Sequence, residues 1–239
     1  MTSDNGMPFP RAKANLYDGG TRMPLAIRWP AKVPGGRVID DFVNHIDFAP
    51  TFLEATGTSA PKSLVGRSLL PMLISGKSGN IEADRDRVFV GRERHANARA
   101  GELGYPSRAV RTRYFLYITN LAPDRWPAGD PSEVPQAPQG VYSDIDAGPA
   151  KTWMIENADS NSVSKLWPLS FQKRPSEELY DLRKDPDQMV NLAEQAEYAQ
   201  QKAQLKESLQ AWRQATSDPQ LGGDLGVFDR YPYLGRKAR

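Results

Sequence analysis

The sequence predicts a mixed α/β fold, and three observations carry that reading. Short β-branched and aromatic runs recur at residues 88–90, 109–119 and 178–182; helical periodicity is confined to stretches near 47–55 and 194–216; and proline and glycine clusters separate them. A length of 239 residues allows one large or two modest domains.

In chain order, residues 23–29 (MPLAIRW) read as a short strand leading out of a glycine-rich opening, stopped by Pro30 and by Pro34, Gly35 and Gly36. Asp47 is a candidate N-cap for a helix through Pro50, Thr51, Phe52, Leu53 and Ala55; Phe48, Phe52 and Ala55 would be its buried face and Gly57 its stop. Residues 88–90 (VFV) form a compact strand. Residues 109–119 (AVRTRYFLYIT) read as two strands joined near Thr112 and Arg113, an antiparallel hairpin. From Ala122 to about Pro149 the chain is rich in Pro, Gly, Asp and Ser, which predicts a long loop, carried on to about residue 170. A further strand at 178–182 precedes a turn at Lys184, Asp185, Pro186 and Asp187. Tyr198, Leu205, Leu209 and Trp212 then recur at helical spacing among Gln, Lys and Glu, which predicts an amphipathic surface helix over about 194–216, ended by Asp218 and Pro219.

Composition narrows the function classes. Lys+Arg number 31 against 29 Asp+Glu, and a net charge of +2 argues against a surface built to hold nucleic acid or membrane by bulk electrostatics. No run approaches the ~18 apolar residues of a membrane span, and the first residues lack the basic-then-apolar profile of a signal peptide. Cysteine is absent, so disulfides, thiolate zinc sites and a cysteine nucleophile are excluded within this chain, and any metal must be held by oxygen or imidazole.

Candidate site residues begin at the N-terminus. Asp4 and Asn5 offer a hard carboxylate and amide oxygen suited to Ca²⁺ or Mg²⁺, with Gly6 letting the backbone bend, although Asn-Gly alone is simply a tight turn. Lys13 and Arg22 flank a glycine turn at Gly19 and Gly20; an ammonium and a guanidinium suit a tetrahedral oxyanion, although the common fate of either is a solvated loop or a nearby carboxylate. His45 lies among apolar residues and reads as a packed or capping histidine. His95, on a loop after a strand end, is better placed for binding or proton transfer, with Arg92, Arg94 and Arg108 adding positive charge nearby.

The order of TSDNG, then KANLYDGGTRMP, and far downstream ELYDLRKDPDQMVNLA resembles the C-terminal portion of the sulfatase family, in the alkaline-phosphatase-like superfamily. TSDNGMPFPRAKANLY is most similar to the sulfamidase (heparan N-sulfatase) branch, and HIDFAPTFLEATG to the family's V-D-x-x-P-T-x-L segment. The resemblance runs from Thr2 to about Ala193. It implies the last strands and helices of a large α/β catalytic domain over residues 1–80. A C-terminal subdomain over 81–239 would follow, with a small antiparallel sheet, a long loop at 122–170 and a C-terminal helix. It further implies that Asp4 and Asn5 are ligands of the sulfatase Ca²⁺, that Lys13 contacts the sulfate, that Arg22 is structural, and that the loop of His95, Arg94 and Arg108 approaches the substrate.

One departure from the family stands out. Sulfatases attack with a formylglycine made from the first residue of C/S-x-P/A-x-R. The near matches GYPSR and LAPDR place Gly104 and Leu121 there, and neither can become the aldehyde. The resemblance therefore implies a C-terminal fragment, inactive alone, of a longer hydrolase. That parent would act on a sulfate ester or N-sulfate of a sugar, with formylglycine and the remaining acidic ligands in the N-terminal half. Its partners would be a sulfated small molecule or glycan, with no nucleic acid and no membrane insertion, and the family is commonly periplasmic, secreted or lysosomal. The alternatives are a phosphodiester or phosphonate ester hydrolase of the same superfamily, or a noncatalytic domain that binds an anion or a partner.

Overall fold

The computed structural model describes residues 1–134, 137 and 140–233, so part of the expected long loop lies outside the described residues. In chain order the elements are α1 (Asp18–Thr21), α2 (Phe48–Ala55), α3 (Leu70–Ile74), β1 (Arg87–Arg92), β2 (Ser107–Thr112), β3 (Phe115–Asn120), α4 (Pro149–Glu156), α5 (Trp167–Phe171), β4 (Glu177–Asp181) and α6 (Ala199–Ala215). They fall into two compact units, one of Met1 and Leu25–Val88, the other of Thr2–Pro24 and Phe89–Arg239.

The first unit packs Val33, Leu69, Met72 and Leu73 with Phe48 at their edge. Asp47 does precede α2, but it does not cap it with its side chain. The carboxylate instead closes a capping box with Asn44, accepts from Arg67 N at 2.8 Å and pairs with buried Arg85 at 2.9 Å. The inward face of α2 follows from that network: Thr51 donates to Asp47 O at 2.6 Å and accepts from Leu69 N at 2.8 Å. Phe52, the next residue round, is turned outward and 67% exposed, contrary to the sequence expectation. Gly57, at φ +74°, follows the helix as expected. Residues 23–29 do not form a strand. Among the described residues, the stretch exchanges backbone hydrogen bonds through Ala26 with Met1, at 2.7 and 2.8 Å, and Pro24 has no N–H to give a ladder.

The second unit is built on a four-stranded sheet in the order β1-β2-β3-β4, with β2/β3 and β3/β4 antiparallel. The hairpin register places Arg111 opposite Leu116 and Ser107 opposite Asn120. Period-two alternation divides the side chains between two faces. Val110, Phe115, Tyr117 and Leu179 meet Leu205 and Leu209 of α6, while Ala109, Leu116, Ile118 and Tyr180 meet Leu16 and Tyr17 of the opening stretch. Burying each α6 leucine contributes about 2 kcal/mol, and Trp212 extends the contact by stacking on Phe89 with ring centroids 5.0 Å apart. The expected arrangement, a mixed α/β chain with a small antiparallel sheet and a C-terminal helix, is present. The opening stretch, Thr2–Pro24, belongs to this unit, with Leu16 and Tyr17 buried against its sheet.

The segment expected as one long loop is, in its described residues, more ordered than its composition suggests. It carries α4 and most of α5, and Ala128, Tyr142, Ile145 and Phe171 form a small core of their own. Pro149 opens α4 at its first turn, where the missing N–H costs nothing. Gly129, at φ +94°, sits where a Cβ would lie 2.7 Å from Ser143 N, so the two arms of the loop can close on each other.

Candidate functional site

The opening stretch is held down by its glycines and by its buried aromatic. A Cβ on Gly6 would lie 2.0 Å from Gly19 O, and one on Gly20 would lie 2.3 Å from Ala12 O, so two turns of backbone cross with no room for side chains. Tyr17 donates to Glu178 at 2.7 Å, and Glu178 also accepts from Tyr180 and Asn120. Burial pushes the Tyr17 hydroxyl far above its usual range, with the Glu178 charge adding to the rise. Asp18 is gripped by Arg111 through two bonds of 2.8 Å. Arg22, expected to be structural, is 78% exposed and pairs with Asp18 at 3.9 Å. His45 is also exposed, its ring 5.2 Å from that of Phe48.

On this platform Lys13 is fixed at a definite place: its Nζ lies 2.6 Å from Asp146 Oδ2, with both side chains about three-quarters buried. His95 is fixed by the same short segment, its Nδ1 3.2 Å from Asp144 Oδ1. Asp144 is itself buried, bonded to Arg92 at 2.6 Å and to Arg99. Burial alone would raise its carboxyl, but Arg92, the bond from His95 and Arg99 outweigh that and hold it well below the ordinary carboxylate range. An ionised carboxylate only accepts, so the proton of neutral His95 sits on Nδ1 and Nε2 is left as the ring's acceptor. Ile145, between the two aspartates, is anchored in the loop's core, and its carbonyl accepts from buried Lys151 at 3.0 Å.

The guanidiniums of Arg92 and Arg99, both on Asp144, and of Arg174 lie 5.3, 5.6 and 5.9 Å from the ring of Tyr105. Burial pushes the Tyr105 hydroxyl up to about 12 and pulls Arg92 down to about 10, which leaves the phenol neutral and the arginine charged at neutral pH. The other expected cations do not join Lys13 and His95. Arg94 donates to the carbonyls of Glu102 and Tyr231 at 3.0 and 2.7 Å. Arg108 is buried, with Nε and Nη2 on Asp218 at 2.9 and 2.8 Å, Nη2 also on Glu93, and Nη1 on the carbonyl of Ser107.

Asp4 is exposed and Asn5 partly so, and among the described residues neither side chain has a hydrogen-bond partner. Their oxygens are the right donors for Ca²⁺, and the Gly6 crossing fixes the turn that carries them. Two donors are fewer than the six to eight such an ion takes. Among the described residues no group of three or more His, Asp or Glu side chains gathers to complete a shell. Sequence reasoning missed Asp144, Asp146, Arg99 and Lys151. The available signal was a pair of carboxylates flanking one isoleucine inside a stretch read as loop.

No helix among the described residues is long and apolar enough to cross a membrane. The family described as N-sulphoglucosamine sulphohydrolase, C-terminal, matches residues 11–160, more than half of the chain. Human N-sulphoglucosamine sulphohydrolase is 29% identical over 96% of this chain and 44% of its own length. An ulvan-active sulfatase of Formosa agariphila is 29% identical over 90% of this chain and 32% of its own. The chain thus spans less than half the length of these relatives. Among solved structures, that of BT4656 in complex with its substrate D-glucosamine-2-N,6-O-disulfate shares the fold, with a TM-score of 0.57 and 24% identity over 86% of this chain and 31% of that one. The chain belongs to the N-sulphoglucosamine sulphohydrolase C-terminal family, a sulfatase family of the alkaline-phosphatase-like superfamily.

Proposed function

We propose that this chain is the C-terminal part of a sulfatase that hydrolyses a sulfate ester or N-sulfate on a sugar, its nucleophile lying outside these residues. One observation carries the reading onto particular side chains: Lys13 and His95, far apart in sequence, are both tied to the segment of Asp144, Ile145 and Asp146. Lys13 keeps two ammonium hydrogens for sulfo oxygens after its bond to Asp146, and charge on those oxygens grows as the S–O or S–N bond breaks. His95, held by Asp144, presents Nε2 to the substrate, as an acceptor when neutral and a donor when protonated. Asp4 and Asn5 would supply part of the shell of a Ca²⁺, which when bound offsets negative charge on the sulfo group. The family match and the two sulfatase relatives support the substrate class.

The test is hydrolysis of paired sulfate and phosphate esters by the full-length protein that carries this chain. Lys13→Ala is expected to cost at least a hundredfold in kcat/KM toward the sulfate ester. Asp4→Ala should weaken Ca²⁺ binding measured by calorimetry. Residues 1–239 alone are expected to turn over neither ester under any metal supplement. Preference of the full-length protein for a phosphodiester over every sulfate ester and sulfamate tried would overturn the reading.

A further inference from the structure

The Lys13–Asp146 pair is more than a way to hold a lysine still. Buried Lys151 bonds the carbonyl next to Asp146 and feels the charge of the same carboxylate, so the Asp146 carboxylate stands beside Lys13 with a second ammonium near it. Among the described residues Lys13 has no second acceptor, and its partly exposed side chain leaves it reachable by a solute. A sulfate monoester or sulfamate carries one negative charge at neutral pH. A phosphate monoester, with its second pKa near about 6, carries close to two. On Lys13 the first sets one negative charge near the Asp146 carboxylate, while the second sets close to two there, so it meets the greater repulsion at short range in a partly desolvated site.

We propose that Asp146 is a specificity-determining residue that sorts substrates by charge, admitting a monoanionic sulfo group to Lys13 and disfavouring a dianionic phosphate monoester of the same shape. The inference rests on the reading of Lys13 as the sulfo-binding cation. It sorts by charge and not by element, so a monoanionic phosphodiester passes the filter. The same carboxylate also disfavours the product, since inorganic sulfate leaves as a dianion.

The test uses the full-length protein near pH 8 with three substrates: an aryl sulfate, the matching aryl phosphate, and its methyl diester. In the wild type, the sulfate-over-phosphate preference in kcat/KM should exceed the sulfate-over-diester preference by at least about tenfold. Asp146→Asn should raise the phosphate-to-sulfate ratio about tenfold and move the diester-to-sulfate ratio less than threefold. It should also tighten inhibition by inorganic sulfate by a similar factor, and Asp146→Glu should restore the wild-type pattern. A merely structural role would lower all three activities together.

Lys13→Ala separates the two levels of the argument. If it raises KM for the aryl sulfate while Asp146→Asn leaves the phosphate-to-sulfate ratio within twofold, the charge filter fails and the lysine reading stands. If Lys13→Ala leaves that KM unchanged, both fail. Should the Asp146 variants not fold, the wild-type comparison decides: equal turnover of monoester and diester overturns the filter, and turnover of none of the three substrates overturns it together with the function.

Discussion

His95 Nδ1 lies 3.2 Å from Oδ1 of Asp144, a carboxylate kept ionised by two buried arginines. That relationship fixes which nitrogen of the ring holds the proton. Nitrogen-15 NMR of the imidazole, taken at a pH where His95 is neutral, should find Nδ1 protonated and Nε2 bare. Asp144→Asn, whose amide can donate as well as accept, should release that preference. A wild-type ring protonated on Nε2 would refute the assignment.

The same carboxylate carries stability. Asp144→Asn leaves Arg92 and Arg99 buried without their counter-charge, and breaking a buried pair from one side costs about 3–5 kcal/mol. Urea denaturation of the variant should show a loss of at least about 3 kcal/mol. A loss under about 1 kcal/mol would mean that the guanidiniums find other partners, such as the carbonyl of Pro127, which both already reach.

The sheet and α6 were legible in the sequence because their burial is periodic. Phe115 and Tyr117 alternate with Leu116 and Ile118 between two faces, and Leu205 and Leu209 repeat along one helical stripe. Phe52 was misread because its neighbour Thr51 wins the inward position through a hydrogen-bond network with Asp47 and Leu69, which no hydropathy pattern encodes. Half of the candidate site was legible, since Lys13 and His95 lie in recognisable stretches. What holds them was not: Asp144 and Asp146 sit more than 130 residues from Lys13, in a segment whose proline and glycine content reads as loop. Arg108 reads in the sequence as a cation near His95, and only the fold brings Asp218 to it.

The glycine crossing beneath the opening stretch gives a sharper test of what places Lys13. Gly6→Ala would put a methyl 2.0 Å from Gly19 O, backbone that cannot rotate away, and Gly20→Ala would collide with the carbonyls of Ala12 and Asn15 at 2.3 and 2.4 Å. Each variant should lose about 1–3 kcal/mol or more in thermal or urea unfolding. Gly35→Ala, with nothing within 4 Å of the added atom, should stay within about 0.5 kcal/mol of the wild type. Equal stability of Gly6→Ala and Gly35→Ala would show that the two turns are not in contact.

Asp218 sets an acid limit on the C-terminal helix. Its carboxylate accepts from Arg108 Nε and Nη2 at 2.9 and 2.8 Å, from Arg213 Nε at 2.7 Å and from Gln220 N at 3.1 Å. Burial would raise its pKa, but these donors bring it down to about 2 from an ordinary 3.8. A carboxyl depressed by folding stabilises the native state fully above its unfolded value, and that contribution fades as pH falls through the folded one. Asp218 therefore contributes about 2 kcal/mol above pH 4, at about 1.4 kcal/mol per pKa unit, and loses it as the pH drops from about 4 toward 2. Urea unfolding of wild type and Asp218→Asn, compared at each pH, isolates this group because the remaining carboxylates titrate in both proteins. The stability gap should be constant from about pH 7 to 5 and shrink steadily below 4. A gap of the same size at pH 2 as at pH 5 would mean that the carboxylate is not depressed and that packing alone accounts for its cost.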